Sequence, residues 1–282
     1  FLKPLRIPGL HAVRGIFLPV SGIVMKEFDH RSQAKERMKM YPMRMIPVEK
    51  DYLWGGSRLN DDFGKTIPVS PLAETWECST HPDGLSVVAC GEHAGKTLRE
   101  VLALHPEYLG THPMQLTGGK PELPILVKLI DARKDLSIQV HPDDVYALEH
   151  ENSLGKTEMW YVLHAAKNAE LIYGFRQNVT RDQVLEGIRT GMLPQQLNHV
   201  PVAKEDVFFI EPGTMHAIGA GVLVAEVQES SNVTYRLYDY DRIDKNGQKR
   251  PLHIEKALET ANLSASREPR QPMRVLGYRG GF

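Results

Sequence analysis

The sequence predicts a mainly β fold, a barrel or jelly-roll sandwich with a few inserted helices. Three observations carry this. From Tyr41 onward, short β-prone segments recur between clusters of Gly, Pro, Asn and Asp. Helical spacing appears in only three stretches, too few to alternate with the strands as βαβ units would require. No 20–50-residue repeat and no low-complexity tract offers a solenoid reading instead.

The predicted strands, in order, are 76–79, 86–89, 124–131, 136–141, 158–164, 170–174, 206–211, 222–228 and 233–238. Residues 97–109 read as a helix, with Leu98, Val101, Leu102, Leu104 and Leu109 apolar, Thr97 as N-cap and Glu100 three residues later. Residues 180–192 repeat that pattern, Thr180 capping and Val184, Leu185 and Ile188 forming a stripe. A shorter helix is expected over 254–260, after Pro251. Within 136–141, Leu136, Ile138 and Val140 alternate with Ser137, Gln139 and His141, so a strand puts aliphatics on one face and polar groups on the other. Gln-x-His before Pro is an odd choice for a wet face, and the question is whether it lines a site.

The first 40 residues read differently. Residues 15–25, GIFLPVSGIVM, follow Lys3, Arg6 and Arg14 and look superficially like a signal peptide. Pro19 and two glycines break the run, no A-x-A site follows, and it is too short to span a bilayer. The expectation is an N-terminal extension, or an upstream start, outside the main fold.

Composition narrows the function class. The 282 residues are 41% hydrophobic and 24% charged with a formal net charge of −1, so no global basic field points to nucleic acid or an anionic membrane. Twelve His stand against two Cys; Cys78 and Cys90 form no CxxC and read as reduced thiols of a cytoplasmic protein. A metal site must therefore use His and carboxylate.

Three segments carry such residues where strands belong: Gln139-Val-His141, Lys156-Thr-Glu158, and Glu211-Pro-Gly-Thr-Met-His216. With His141, Glu158 and His216 at strand ends of one small barrel, all three aim into its mouth, and two imidazoles with a carboxylate suit zinc or non-haem iron(II). Each has a plainer reading, namely a hydrogen-bonded structural histidine, a surface glutamate, and a simple Pro-Gly turn.

The motifs LPILVKLIDARKDLSIQVHPDD, GKTEMWYVL and EPGTMHAIGAGVLVAEVQESSNVTYRLYDYDR, with WGGSRL and AETWECS upstream, resemble the type I mannose-6-phosphate isomerase family in its short bacterial cupin form. The resemblance runs in order from about Tyr41 to Leu263. It implies a catalytic cupin over 41–265 with a helical insertion near 180–200, and the start of an incomplete C-terminal cupin over 266–282. It also implies one zinc ion per chain on Gln139, His141, Glu158 and His216, the Gln being open to a second reading as the holder of a water. The implied reaction interconverts mannose 6-phosphate and fructose 6-phosphate through a cis-enediol, in a monomer or homodimer with a small sugar phosphate as its partner.

By the same resemblance Arg236 is the essential arginine, and Lys156 is either the general base or a contact to phosphate or enediolate. Lysine serves as a base near neutral pH only where a cation and desolvation lower its pKa. Lys128 and Glu74 match substrate-lining positions, and a Lys among Ile125, Leu126, Val127 and Leu129 needs an anionic partner if buried. Without the resemblance, Arg236 reads as a surface partner of Asp239 or Asp241. Two other classes stay in view: an iron-dependent cupin oxygenase and a non-catalytic sugar-phosphate sensor.

Overall fold

In the computed structural model the described residues are 40–244, 247–266 and, for the backbone alone, 270–271. The expectations for 1–40 and 266–282 fall almost wholly outside them. The described residues from Tyr41 onward form one unit.

The strands are β1 (Met45–Ile46), β2 (Val48–Lys50), β3 (Glu74–Cys78), β4 (Val87–Val88), β5 (Ile125–Ala132), β6 (Ile138–Val140) and β7 (Glu158–Ala165). They continue with β8 (Glu170–Phe175), β9 (Leu197–Pro201), β10 (Val207–Ile210), β11 (His216–Ile218), β12 (Val222–Glu229), β13 (Tyr235–Tyr238) and β14 (Arg270–Gln271). The helices are α1 (Arg58–Asp61), α2 (Leu98–Leu104), α3 (Thr111–Leu116), α4 (Asp144–Glu151), α5 (Arg181–Thr190) and α6 (Ile254–Thr260).

Seven strands form one sheet in the order β14-β10-β7-β12-β5-β3-β2, and five form a second in the order β13-β6-β11-β8-β9. Every described pairing between these strands is antiparallel. The result is a jelly-roll sandwich of two facing sheets, as the sequence predicts.

Alternation decides what lies between the sheets and what lies outside. From β6, Ile138 and Val140 enter a core with Val184 of α5 and Ala257 and Leu258 of α6, packed also by Tyr146 of α4. Full burial of an aliphatic this size stabilises by roughly 1.5–3 kcal/mol, which pins the register. Gln139 and His141 consequently turn inward. The inter-sheet space is otherwise filled by Trp54, Ile130, Trp160, Val162, Leu171, Phe208 and Val224.

The helices test the local reading. Thr97 accepts from the Glu100 amide and Thr180 from that of Gln183, each in a reciprocal capping box. The predicted helix 97–109 is broken: α2 ends at Leu104, and Pro106 opens a separate 3-10 turn, because His105 before a proline is pushed out of helical conformation. The predicted 180–192 stops at Thr190, where Gly191 takes the left-handed cap at φ 75°. Residues 254–260 form α6 as expected.

Candidate metal centre and active site

The site arises from two rows of side chains, one per sheet. Across the larger sheet Trp76 stands opposite Lys128, Lys128 opposite Glu226, Glu226 opposite Trp160, and Trp160 opposite Phe208. Across the smaller sheet the row is Tyr173, His216, Gln139 and Arg236. The rows meet where the Trp160 and His216 rings stand edge-on, 5.4 Å between centroids.

His141 follows β6 directly, Glu158 opens β7 and His216 opens β11, and all three are buried. One ligand atom from each lies within 4.8 Å of the others. Glu158 Oε1 is 3.3 Å from His141 Nε2, and Oε2 is 3.8 Å from His216 Nε2. Gln139 Nε2 lies 3.5 Å from His216 Nε2. Three of the predicted ligands thus converge in one buried cluster, with Gln139 beside it.

Local backbone fixes them. His141 Nδ1 is 2.9 Å from the Val233 carbonyl and His216 Nδ1 is 2.8 Å from that of Thr214. A carbonyl only accepts, so each Nδ1 carries the proton and each Nε2 presents a lone pair inward. Gly213, in the Pro-Gly turn, has φ +80° and donates its N–H to the His141 carbonyl at 2.8 Å; a Cβ there would also meet the Thr260 carbonyl at 2.8 Å. Gly155 lets Lys156 approach Asp143, whose backbone a Cβ would strike at 2.4 Å, and the Lys156 N–H donates to the Pro142 carbonyl.

The donor set fits a cation. The buried Glu158 carboxylate and two imidazole lone pairs converge, and the Lys156 ammonium is the cation beside them among the described residues. That ammonium lies 2.8 Å from Glu158 Oε1 and 3.3 Å from His141 Nε2. Burial, then Lys156, presses the His141 pKa down to about 3, and burial lowers that of His216 as well. Burial alone would raise Glu158, but Lys156 and the two imidazoles hold it well below the usual carboxylate range.

Beside this cluster lies a cavity of about 290 Å³ lined by Glu74, Lys128, Ser137, Gln139, Lys156, Trp160, Glu226, Thr234, Arg236 and Arg250, among others. It gathers every site residue named from the sequence except the buried His141, Glu158 and His216. Lys128 has the anionic partner its burial demands, Glu226 Oε1 at 3.3 Å. Burial lowers the Lys128 ammonium, but Glu226, Glu74 and Glu158 outweigh it and keep it above the ordinary lysine value. The Glu226 carboxyl is pushed up by burial and by Glu158. Trp76 Nε1 donates to Glu74 at 2.8 Å and Trp160 Nε1 to Glu226 at 2.9 Å.

Arg236 corrects one sequence reading. It does not pair with Asp239 or Asp241: its Nε donates to Ser137 Oγ at 3.2 Å and its Nη1 to the Pro251 carbonyl at 3.0 Å. Sequence reasoning missed Glu226, Trp160, Ser137 and Arg250. For Glu226 the signal was present, a lone acid in the aliphatic run VLVAEV. Cys78 and Cys90 are free thiols. Among the described residues no helix is long and apolar enough to cross a membrane.

Residues 43–153 match the family model described as phosphomannose isomerase type I, catalytic domain. The chain is 46% identical over 224 residues to the probable mannose-6-phosphate isomerase GmuF of Bacillus subtilis, covering 79% of this chain and 69% of that protein. It is 44% identical over 211 residues to the mannose-6-phosphate isomerase of Streptococcus mutans, covering 75% of this chain and 65% of that one. The crystal structure of the mannose 6-phosphate isomerase from Bacillus subtilis aligns with a TM-score of 0.72 at 40% identity, over 79% of this chain and 69% of that chain. The chain therefore spans about two thirds of the length of these relatives.

Proposed function

The chain belongs to the type I mannose-6-phosphate isomerase family, and on that premise we propose that its buried two-histidine, one-carboxylate cluster holds one zinc ion for the interconversion of mannose 6-phosphate and fructose 6-phosphate. The observation that carries this is the convergence of His141 Nε2, His216 Nε2 and the buried Glu158 carboxylate beside a cavity lined by Lys128, Lys156 and Arg236.

Gln139 is the fourth ligand in this reading. A half-turn of its amide exchanges Oε1 and Nε2, presenting an oxygen where Nε2 now faces His216. Zinc, when bound, supplies a Lewis acid for the sugar oxygens without redox chemistry of its own.

The chain's own residues do the rest. The reaction moves a proton between C2 and C1 through a cis-enediol, so negative charge grows on the sugar oxygens. Arg236, held by neutral partners, keeps its guanidinium charge for that oxyanion or for the phosphate. Lys156 carries the proton between the two carbons, while Lys128 and Glu74 line the sugar. A specific observation favours a second reading of the proton carrier. Glu226, held by Lys128 and Trp160, is a buried carboxyl of raised pKa on the same cavity, while Lys156 is engaged by Glu158 and His141.

Metal analysis of the whole chain tests the ligand set. One zinc per wild-type chain is expected, and Glu158→Gln and His216→Ala are expected to retain less than a tenth of that; full zinc in both variants would refute the assignment.

A further inference from the structure

Asp239 follows β13 directly and is 6% exposed. Its carboxylate takes Arg250 in a two-point fork, Nε to Oδ2 at 2.8 Å and Nη2 to Oδ1 at 2.6 Å. Arg242 binds the same carboxylate, through Nε at 3.1 Å and through Nη2. Two consecutive non-glycine residues between them, Tyr240 and Asp241, adopt left-handed φ values of +54° and +52°. That costly turn brings Arg242 back onto Asp239, with its guanidinium 5.1 Å over the Tyr240 ring. The chain is strained here to hold two arginines on one acid.

The consequence lies in the neighbouring cavity. Arg250 lines it together with Arg236. One carboxylate shared by two guanidiniums leaves the triad with a net positive charge, and the fork leaves Arg250 Nη1 uncommitted among the described residues. Arg236 has only Ser137 Oγ and the Pro251 carbonyl as side-chain partners there, both neutral. Burial, and then the nearby Arg250, disfavours its charged form. Two guanidiniums facing one cavity, Arg236 on neutral partners and Arg250 on an acid it shares with Arg242, form a receptor for a dianion.

We propose that Arg250 is a substrate-binding residue that joins Arg236 on the phosphate of the sugar phosphate, and that Asp239 is the positioning residue that aims it. This rests on the function proposed above for the same cavity.

The test uses the full chain and two readouts, inorganic phosphate binding by calorimetry and steady-state kinetics with mannose 6-phosphate. Arg250→Gln is expected to lose roughly tenfold to hundredfold in phosphate affinity, the ordinary worth of a charge-assisted pair, with the kinetic loss falling on KM more than on kcat. Asp239→Asn keeps the charge of Arg250 but loosens its aim, so a smaller loss of the same kind is expected. Added guanidinium ion should restore part of the affinity of Arg250→Ala, which a merely structural role would not allow.

Unchanged phosphate affinity in Arg250→Gln, or a wild-type chain that binds no phosphate at millimolar concentration, would overturn the proposal. A wild-type chain inactive on mannose 6-phosphate whose phosphate affinity still falls in Arg250→Gln would remove the isomerase reading and leave the phosphate site standing.

Discussion

Gln139 and His216 stand opposite one another across the β6–β11 pair, with their Nε2 atoms 3.5 Å apart. Register alone makes them neighbours: Ile138 and Val140 must enter the helix-covered core, so Gln139 must face the inter-sheet space beside His216. Their relative position is set by the pairing of the two strands that carry them.

That pairing makes the role of Gln139 measurable. Gln139→Leu keeps the volume and removes the amide. Zinc affinity, read by competition with a chromogenic chelator, is expected to fall about 10–100-fold, the usual cost of losing a ligand or a group that orients one. Unchanged affinity would demote Gln139 to a wall of the cavity.

The metal-free protein should be acid-sensitive in a defined window. The folded pKa of His141 is about 3 against an ordinary value of 6.5, so the unfolded chain binds a proton that the folded chain refuses. Stability is complete above about pH 6.5 and falls as pH drops toward 3, at about 1.4 kcal/mol per unit for one such group. His216, also lowered, steepens the fall, and Glu158 adds to it below about pH 4.5. Urea midpoints of chelated protein check this; a flat profile from pH 7 to 4 contradicts it.

Lys128 and Glu226 form a buried pair whose halves depend on each other. Lys128→Met strands a carboxylate and is expected to cost about 3–5 kcal/mol, while adding Glu226→Gln removes the stranded charge and recovers much of that loss. Denaturant midpoints of the two single variants and the double variant measure the coupling. Strict additivity would show the pair to be idle.

The proton carrier can be assigned by two variants. If Lys156 moves the proton, Lys156→Ala loses about 10²–10⁴ in kcat with zinc retained, and Glu226→Gln loses far less. The reverse order assigns the step to Glu226. Substrate hydrogen exchange with deuterated water, followed by NMR, separates proton abstraction from binding.

Much of the site was legible because its residues sit in local patterns. The Ser137–His141 alternation foretold the inward polar face, and Glu158 and His216 were readable at the starts of their strands. Lys128 announced itself as a charge within an aliphatic strand. Its partner Glu226 carries the same signal, but only the register of β5 against β12 shows that the two meet. The helix α4 went unread because it follows His-Pro at once; Asp143 caps it by accepting from the Tyr146 amide. The plainer reading of Arg236 as an ion-pair partner fails because Asp239, three residues on, is taken by Arg242 and Arg250 from the loop beyond. Loop closure of that kind leaves no periodic trace.

The most direct measurement is a coupled assay for fructose 6-phosphate formed from mannose 6-phosphate by the whole chain, as isolated, after chelation, and after zinc is restored. The account predicts turnover that is lost with the chelator and recovered with zinc. A folded chain that holds one zinc on these ligands and forms no fructose 6-phosphate would contradict it.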